Sequence, residues 1–235
     1  MTNALITGAN KGIGFEIAKE LSGRGVTVLI GARDEERGRA AAERLGARHV
    51  RLDVTSEDSV KAAAAWIEEE YGTLDILVNN AGVIVPQDDI RPSATPLEVL
   101  RATYETNVFG VVAVTNAMMP LLRRAPAARI VNMSSGLGSL TLGSDPSSPY
   151  FDLNLMTYNS SKAALNMVTL AYAKELRDTT IKVNAADPGY CATDLNQHTG
   201  HRTAAQGAAI AVRLALLPGD GPSGAYMDDE GNIPW

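Results

Sequence analysis

Short apolar runs rich in β-branched residues alternate with longer helical patterns along most of the chain. The runs that predict strands are residues 4–6, 27–30, 49–52, 76–78, 129–132 and 182–186, and the helical patterns are residues 14–24, 35–45, 56–71, 108–124 and 158–177. Apolar strands that are each followed by a helix indicate a parallel sheet covered on both faces. We therefore predict an α/β fold, with residues 1–235 forming one doubly wound domain of about seven parallel strands.

The composition excludes several classes of protein. Its 45% hydrophobic and 20% charged residues are typical of a globular chain, and the net charge of −6 argues against a general binder of nucleic acids or anionic membranes. The sequence shows no signal-peptide pattern and no apolar stretch long enough to span a membrane. The single cysteine, Cys191, excludes an intramolecular disulfide. We expect a soluble cytoplasmic protein that has no metal site and binds neither nucleic acid nor membranes.

A glycine-rich turn, residues 7–14, follows the first predicted strand and opens the first helix. Glycines at such a turn let the backbone approach a pyrophosphate, which then binds the free N–H groups of the helix N-terminus. A glycine cluster alone is weak evidence, and the strand–turn–helix context is what indicates a dinucleotide site. The residues expected to bind the cofactor here are Gly8, Asn10, Lys11, Gly12, Ile13 and Gly14.

The end of the second strand favours one dinucleotide over the other. An NAD site usually places an acidic residue there for the ribose 2′-hydroxyl, whereas a 2′-phosphate calls for cations. This chain has Ala32 and Arg33 at that position, and Lys11 can approach the same place, so we predict NADP. Asp34 leaves an alternative open, because it is either a ribose ligand or the N-cap of the next helix. Asp53 is similarly either a partner of the adenine amino group or a turn residue.

Tyr158 and Lys162 are four residues apart in a strongly helical stretch, which places them on one helix face. A phenol has a pKa near 10, and a neighbouring ammonium is expected to lower that pKa toward neutral pH. Such a pair by itself is most often a surface contact. Its meaning depends on the motifs elsewhere in the chain.

Six motifs in order resemble those of the short-chain dehydrogenase/reductase family. They are Thr7-Gly8 with Gly12-Ile13-Gly14, Asn79-Asn80-Ala81-Gly82, Asn107 with Gly110, Ser134-Ser135, Tyr158 with Lys162, and Pro188-Gly189. The resemblance covers nearly the whole chain and implies a Rossmann-type fold. It implies that Tyr158 is the general acid in reduction, that Lys162 lowers its pKa and holds the nicotinamide ribose, and that Ser135 polarises the substrate carbonyl. Asn107 would hold a water in the proton relay, and Ser134 is the alternative catalytic serine.

The same resemblance extends the expected cofactor site. Further contacts are implied or expected at Arg33, Asp53, Val54, Asn80, Ala81, Gly82, Tyr158, Lys162, Pro188, Gly189 and Thr193. Within the family the pattern is most similar to the carbonyl reductases. The implied function is NADPH-dependent reduction of a ketone or aldehyde, a ketoreductase activity. The alternatives are an NAD(P)-dependent alcohol dehydrogenase working oxidatively and a non-catalytic NADP-sensing protein.

The least patterned segments are expected to contact the substrate and to determine assembly. Residues 137–155, Tyr190 and residues 195–202 are expected to line the substrate site, which suggests a moderately apolar carbonyl compound. Residues 196–202, with His198 and His201, are either a lid or a solvated turn.

The tail after residue 223 departs from the family's usual ending, which in many members packs a tetramer interface. We therefore expect a monomer or homodimer rather than a tetramer.

Overall fold

Seven parallel strands form one sheet in the computed structural model, which describes residues 2–235. The strands are β1 (Asn3–Thr7), β2 (Thr27–Ala32), β3 (Arg48–Arg51), β4 (Ile76–Asn79), β5 (Arg129–Met133), β6 (Lys182–Ala186) and β7 (Tyr226–Met227). Their order is β3-β2-β1-β4-β5-β6-β7, and every pairing between neighbours is parallel. The order reverses direction between β1 and β4, and ligands of open α/β sheets bind at such a switch point, beyond the carboxyl ends of the strands.

Helices cover both faces of the sheet, as the alternating pattern predicted. They are α1 (Gly12–Gly23), α2 (Glu35–Leu45), α3 (Glu57–Tyr71), α4 (Leu97–Tyr104), α5 (Gly110–Arg124), α6 (Leu140–Ser144), α7 (Met156–Glu175) and α8 (Ala204–Ala215). One apolar cluster packs α1, α2 and α8 against one face, and a second packs α3, α5 and the end of α7 against the other. Within residues 2–235 no helix is both long and apolar enough to span a membrane.

The structure differs from the sequence prediction at several elements. The predicted helix 108–124 divides into a π-helical turn, Glu105–Phe109, and α5. The predicted loop after β5 contains a 3₁₀ turn, Gly136–Gly138, and the short helix α6. The seventh strand was counted in the prediction but not located, and α4 and α8 were not predicted. Asp34 is the N-cap of α2, accepting a hydrogen bond from the backbone N of Arg37 at 2.9 Å.

Candidate active site

A π-helical turn, Glu105–Phe109, carries the predicted catalytic residue Asn107 into the interior. Such a turn is rare and is found mostly at functional sites. The Asn107 amide donates to the carbonyl of Val83 (3.0 Å) and to Oγ of Ser161 (3.0 Å), and its Oδ1 accepts from the backbone N of Val83 (2.8 Å). Because Ser161 lies on α7 beside Lys162, these bonds tie the π-helical turn to the helix that carries the Tyr–Lys pair.

Tyr158 and Lys162 lie side by side on α7, and both side chains are buried. The Lys162 ammonium lies 5.5 Å from the centroid of the Tyr158 ring and donates to the carbonyl of Met133 at 2.7 Å. Burial lowers the pKa of Lys162 to about 8, against a smaller opposing effect of Asp187. A methyl group built on Gly82 would lie 3.5 Å from Oδ1 of Asn107 and 3.6 Å from Nζ of Lys162, so these groups share one small space.

The pKa of Tyr158 is raised, which is opposite to the direction that the Tyr–Lys spacing predicted. Burial of the phenol is the largest cause, and the negative charge of Asp187 adds to it, while a hydrogen bond with Ser135 acts in the opposite direction. Burial disfavours the charged phenolate because it removes the solvation that water would provide. Tyr158 is therefore protonated at neutral pH, which is the form that a proton donor requires.

Two adjacent serines follow β5, and their environments separate their roles. Ser134 is buried, and its hydroxyl donates to Oδ1 of Asn166 at 2.5 Å. Ser135 is half-buried, with an extended backbone, and its Oγ accepts from the backbone N of Leu137 at 3.3 Å. The Ser134 hydroxyl is committed to Asn166, whereas the Ser135 hydroxyl is hydrogen-bonded to Tyr158. The choice of Ser135 over Ser134 as the serine that contacts the substrate stays a prediction.

The glycine-rich turn lies between β1 and α1 and is tied to β4 by Asn80. The Asn80 amide donates to the carbonyl of Thr7 at 2.8 Å, and Oγ1 of Thr7 accepts from the backbone N of Asn80 (3.0 Å) and of Ala81 (2.9 Å). Asn80 therefore shapes the turn, and the expected contact between Asn80 and a cofactor ribose stays a prediction. Gly8 has φ +65°, and a methyl group built on it would lie 3.0 Å from Cα of Ala81.

The turn fits a dinucleotide phosphate by two observations. Gly12 has φ +61°, and the nearest group to a methyl built on it is Cγ2 of Thr193 at 3.8 Å, so the space above the turn is open. The N-cap of α1, Lys11, makes no side-chain hydrogen bond to the N–H groups of the first helical turn. Those N–H groups at the positive end of α1 are available to an anion. Thr193 faces this turn from the opposite wall, and its expected contact with the cofactor stays a prediction.

Arg33 and Lys11, the two cations predicted to bind a 2′-phosphate, have different surroundings. Arg33 directly follows β2 and has an exposed side chain, which forms no ion pair within residues 2–235. Lys11 instead forms an ion pair with Asp194, whose other oxygen accepts from Nε2 of His198 at 2.8 Å. This bridge connects the glycine-rich turn to the segment after β6. It is exposed on both sides, and exposed ion pairs exchange readily with a stronger partner.

The sequence also singled out Asp53, Val54 and Cys191. Oδ1 of Asp53 accepts from the backbone N (3.0 Å) and the hydroxyl (2.7 Å) of Thr55, which is the geometry of a turn residue. Its expected contact with adenine stays a prediction. Val54 packs against Gly110 at the start of α5, where a methyl group would lie 2.9 Å from Val54 Cγ2. Cys191 is buried, and its thiol donates to the carbonyl of Pro188 at 3.2 Å, which indicates a packed cysteine.

Residues 196–202, expected to be either a lid or a solvated turn, are held by hydrogen bonds to neighbouring segments. The Asn196 amide donates to the carbonyl of Cys191 at 2.8 Å, and the backbone N of Arg202 donates to the carbonyl of Tyr190 at 3.1 Å. His198 is bound to Asp194, and the ring of His201 lies 6.0 Å from that of Tyr190. Both imidazoles are exposed. The segment thus forms one wall of the cleft near Thr193.

Two buried residues at the site were missed by the sequence reasoning. Asp187 follows β6 directly and is 5% exposed, and Tyr226 of β7 is 1% exposed. The carboxylate of Asp187 raises the pKa of Tyr158, and the Tyr226 phenol donates to the backbone carbonyl of Ser135. An acidic residue directly before Pro188-Gly189 was the only available signal for Asp187. The two-residue strand that carries Tyr226 has no periodicity that could have indicated it.

Comparison with known proteins assigns the chain to a family. The model of the short chain dehydrogenase family matches residues 2–204. The chain belongs to the short-chain dehydrogenase family. As a member of it the protein is an oxidoreductase enzyme, and the cofactor class of the family is NAD(P).

Proteins named as reductases are among the relatives of this short-chain dehydrogenase. "Short-chain dehydrogenase anuI" of Penicillium roqueforti is 40% identical over 241 residues, covering 97% of this chain and 94% of that protein. "Carbonyl reductase [NADPH] 3" of Rattus norvegicus is 34% identical over 275 residues, covering 99% and 98%. The solved structure of NADPH-bound carbonyl reductase from chicken fatty liver matches with a TM-score of 0.86 at 28% identity, covering 100% of this chain and 99% of that one. The resemblance to the family is confirmed.

Proposed function

We propose that this short-chain dehydrogenase reduces a ketone or aldehyde to an alcohol with NADPH, and that Tyr158 donates the proton. The observation that carries the proposal is the grouping of Tyr158, Lys162, Ser135 and Asn107 at the carboxyl edge of the sheet, beside the glycine-rich turn. A protein that only sensed the dinucleotide would have no need of this set. NADPH, when bound, supplies the hydride.

The protonation states of the site support the reductive direction. Burial and Asp187 raise the pKa of Tyr158, so the phenol carries a proton to donate as the carbonyl carbon accepts hydride. Burial lowers the pKa of Lys162 to about 8, so this amine can exchange a proton near neutral pH. Lys162 lies on the same helix face as Tyr158 and can return a proton to the phenolate that each turnover leaves.

Ser135 is proposed to orient and polarise the substrate. Its hydroxyl is half-buried next to Tyr158, so a carbonyl oxygen between the two groups would accept hydrogen bonds from both. Those bonds strengthen as negative charge develops on that oxygen, which stabilises the transition state more than the ground state. Asn107 is proposed to fix α7 relative to the π-helical turn through Ser161, in addition to the water-binding role implied by the family.

The preference for NADPH is proposed on the charges near the second strand. Arg33 is exposed at the end of β2, and the acidic residue that follows it, Asp34, is committed to capping α2. That commitment removes the alternative in which Asp34 binds a ribose hydroxyl. The names of the rat and chicken carbonyl reductases refer to NADPH, which supports the same cofactor for this chain.

Replacement of Tyr158 by Phe tests the proposal. The variant keeps the ring that packs beside Lys162 and removes only the proton-donating hydroxyl. We expect kcat for carbonyl reduction to fall by about 10²–10⁴-fold, the usual contribution of a general acid. NADPH oxidation would be followed with a panel of ketones, aldehydes and quinones, and NADPH binding would be measured by fluorescence titration.

Tyr172→Phe is the matched control. Tyr172 lies on the same helix, and its hydroxyl donates to Asn116 at 2.7 Å, away from the catalytic group. The Tyr172→Phe enzyme should reduce carbonyls at the parental rate. Full reductase activity of Tyr158→Phe, with NADPH bound normally, would contradict the proposed mechanism.

A further inference from the structure

Asp187 is a buried carboxylate to which the proposed mechanism gives no role beyond its effect on the pKa of Tyr158. It lies between β6 and Pro188, and its Oδ1 accepts from the backbone N of Gly189 at 2.9 Å. The backbone N–H of Gly136 also faces the carboxylate and, like that of Gly189, lowers the pKa that burial raises. Gly136 packs tightly here, since a methyl group on it would lie 3.1 Å from Oδ2 of Asp187. The carboxylate therefore touches the residue that follows Ser135.

Tyr226 reaches the same peptide unit from the other side. Its ring is buried, and its hydroxyl donates to the carbonyl oxygen of Ser135. The carbonyl of Ser135 and the N–H of Gly136 belong to one peptide group, so a phenol holds one end of that group and a carboxylate faces the other. Strand β7 and the end of β6 are themselves joined, since the backbone N of Asp187 donates to the carbonyl of Met227 at 2.8 Å.

We propose that Asp187 and Tyr226 are positioning residues that clamp the Ser135–Gly136 peptide and thereby hold the Ser135 hydroxyl in place for the substrate carbonyl. The inference rests on the proposed function, because it assigns to Ser135 a bond to the substrate. Neither residue touches the reacting atoms. A planar peptide held at both ends cannot turn freely, and that restrains the backbone from which the Ser135 side chain projects.

The charge of Asp187 gives it a second, measurable effect. The titratable and charged groups that face it are Tyr158 and Lys162 of α7, Tyr150, Cys191, Tyr226 of β7, Asp228 and Arg202. While ionised, Asp187 raises the pKa of Tyr158 and of Lys162. Reduction needs Tyr158 protonated, so loss of the charge should shift the alkaline limb of the pH–rate profile to lower pH. Tyr226 is neutral, and its replacement should leave that limb in place.

The test compares Tyr226→Phe and Asp187→Asn with the parent enzyme, each saturated with NADPH. Removal of one positioning hydrogen bond should lower kcat about tenfold. The Phe variant retains the buried ring, so a thermal melt can verify that it is folded. For Asp187→Asn the kcat should fall and the alkaline limb should move to lower pH. A parental kcat for Tyr226→Phe, or an unmoved alkaline limb for Asp187→Asn, would overturn the proposal.

A double-mutant cycle distinguishes positioning from general stabilisation of the site. If Tyr226 acts through Ser135, then Tyr226→Phe should cause no further loss of kcat in a Ser135→Ala background. A full additional loss there would overturn the proposal, since Tyr226 would then act independently of Ser135. If only the clamp proposal is wrong, Tyr158→Phe is still inactive. If the proposed function is wrong, Tyr158→Phe is active, so the two outcomes are distinguishable.

Discussion

Gly14 has no room for a side chain, because the first turn of α1 packs directly against the residues that shape the glycine-rich turn. A methyl group built on it would collide with Nδ2 of Asn80 and lie 2.9 Å from the carbonyl oxygen of Gly8. Nδ2 of Asn80 is the atom that donates to Thr7 and so ties β4 to the loop. A change at Gly14 therefore disturbs the contact that gives the loop its shape, as well as the helix.

We expect Gly14→Ala to weaken NADPH binding and to destabilise the fold by about 1–3 kcal/mol, the usual cost of overpacking. The matched control is Gly23→Ala at the other end of α1, where a methyl group would meet nothing within 4 Å. That variant should keep its cofactor affinity and gain up to about 1 kcal/mol from the better helix propensity of alanine. Chemical denaturation and NADPH titration measure both quantities. Equal effects of the two substitutions would contradict this account of Gly14.

Residues with a fixed chemical signature were predictable at this scale, and residues that act through packing were not. Gly14 and Ser135 occupy places where backbone approach or hydrogen bonding demands that residue type, and such places recur at fixed spacing along a sequence. Asp187 and Tyr226 meet at one peptide only because β6 and β7 pair in space, where the paired residues are 41 positions apart in the chain. A carboxylate that faces two backbone N–H groups resembles any turn aspartate when it is read from sequence.

Elements with strong periodicity and clear ends were predicted within about two residues, whereas short elements were missed. The predicted starts of the glycine-turn helix and of the Tyr–Lys helix each lie two residues from those of α1 and α7. Helix α8 had a usable signal, since Thr203 and Gln206 form a capping box before an alanine-rich stretch. The π-helical turn that presents Asn107 has no sequence signature, because its extra residue is accommodated by packing against Val83 and Ser161.

The chain end from Tyr226 to Trp235 covers the segment that follows Ser135. The rings of Tyr226 and Trp235 stack with centroids 5.3 Å apart, and the carbonyl of Trp235 accepts from the backbone N (3.1 Å) and hydroxyl (2.7 Å) of Thr141. The hydroxyl of Ser139 donates to the carbonyl of Pro234 at 2.6 Å. Helix α6 and the preceding 3₁₀ turn, which the sequence assigned to the substrate wall, are thus fastened by this tail.

We expect Trp235→Ala to raise KM for the carbonyl substrate while leaving NADPH affinity unchanged. Loss of the aromatic pair should also cost about 0.5–1.5 kcal/mol of stability. Trp66→Ala is the matched control, since Trp66 forms an aromatic pair with Tyr71 on α3, away from the tail. Helix α3 packs on the face of the sheet opposite to α8. It should lower the melting temperature without changing KM. A KM that rises equally in both variants would show that the tail has no particular link to the substrate site.

The molecule as a whole is acidic, so recognition of a multiply charged cofactor depends on local features. The net charge of −6 repels phosphates at long range, and the first turn of α1, Arg33 and Lys11 oppose it at the cleft. In the proposed NADPH complex Lys11 would exchange Asp194 for the phosphate, and both partners of the present ion pair are about half exposed to solvent. The fold class could be predicted at this scale, because alternation of strands and helices leaves few alternative topologies.

We expect Arg33→Ala and Lys11→Ala each to reduce the preference for NADPH over NADH by about tenfold, the value of one charge-assisted hydrogen bond. The ratio of kcat/KM for the two cofactors is the measurement. Arg39→Ala is the control, because Arg39 is exposed on α2 and paired with Glu35 of the same helix. Raising the ionic strength should weaken NADPH binding to the parent more than to either cleft variant. An unchanged cofactor ratio in both cleft variants would overturn the assignment of NADP.

The positions of β1 and Trp235 have a practical consequence for anyone preparing this enzyme. Strand β1 begins at Asn3, at the amino ends of the strands, whereas the catalytic groups lie at the carboxyl ends. Trp235 is bonded to Thr141 beside the catalytic groups. An affinity tag placed ahead of β1 would leave the catalytic edge free. We expect the same tag fused after Trp235 to disturb the hydrogen bonds between Trp235 and Thr141. The activity of such a fusion would then differ from that of the untagged enzyme.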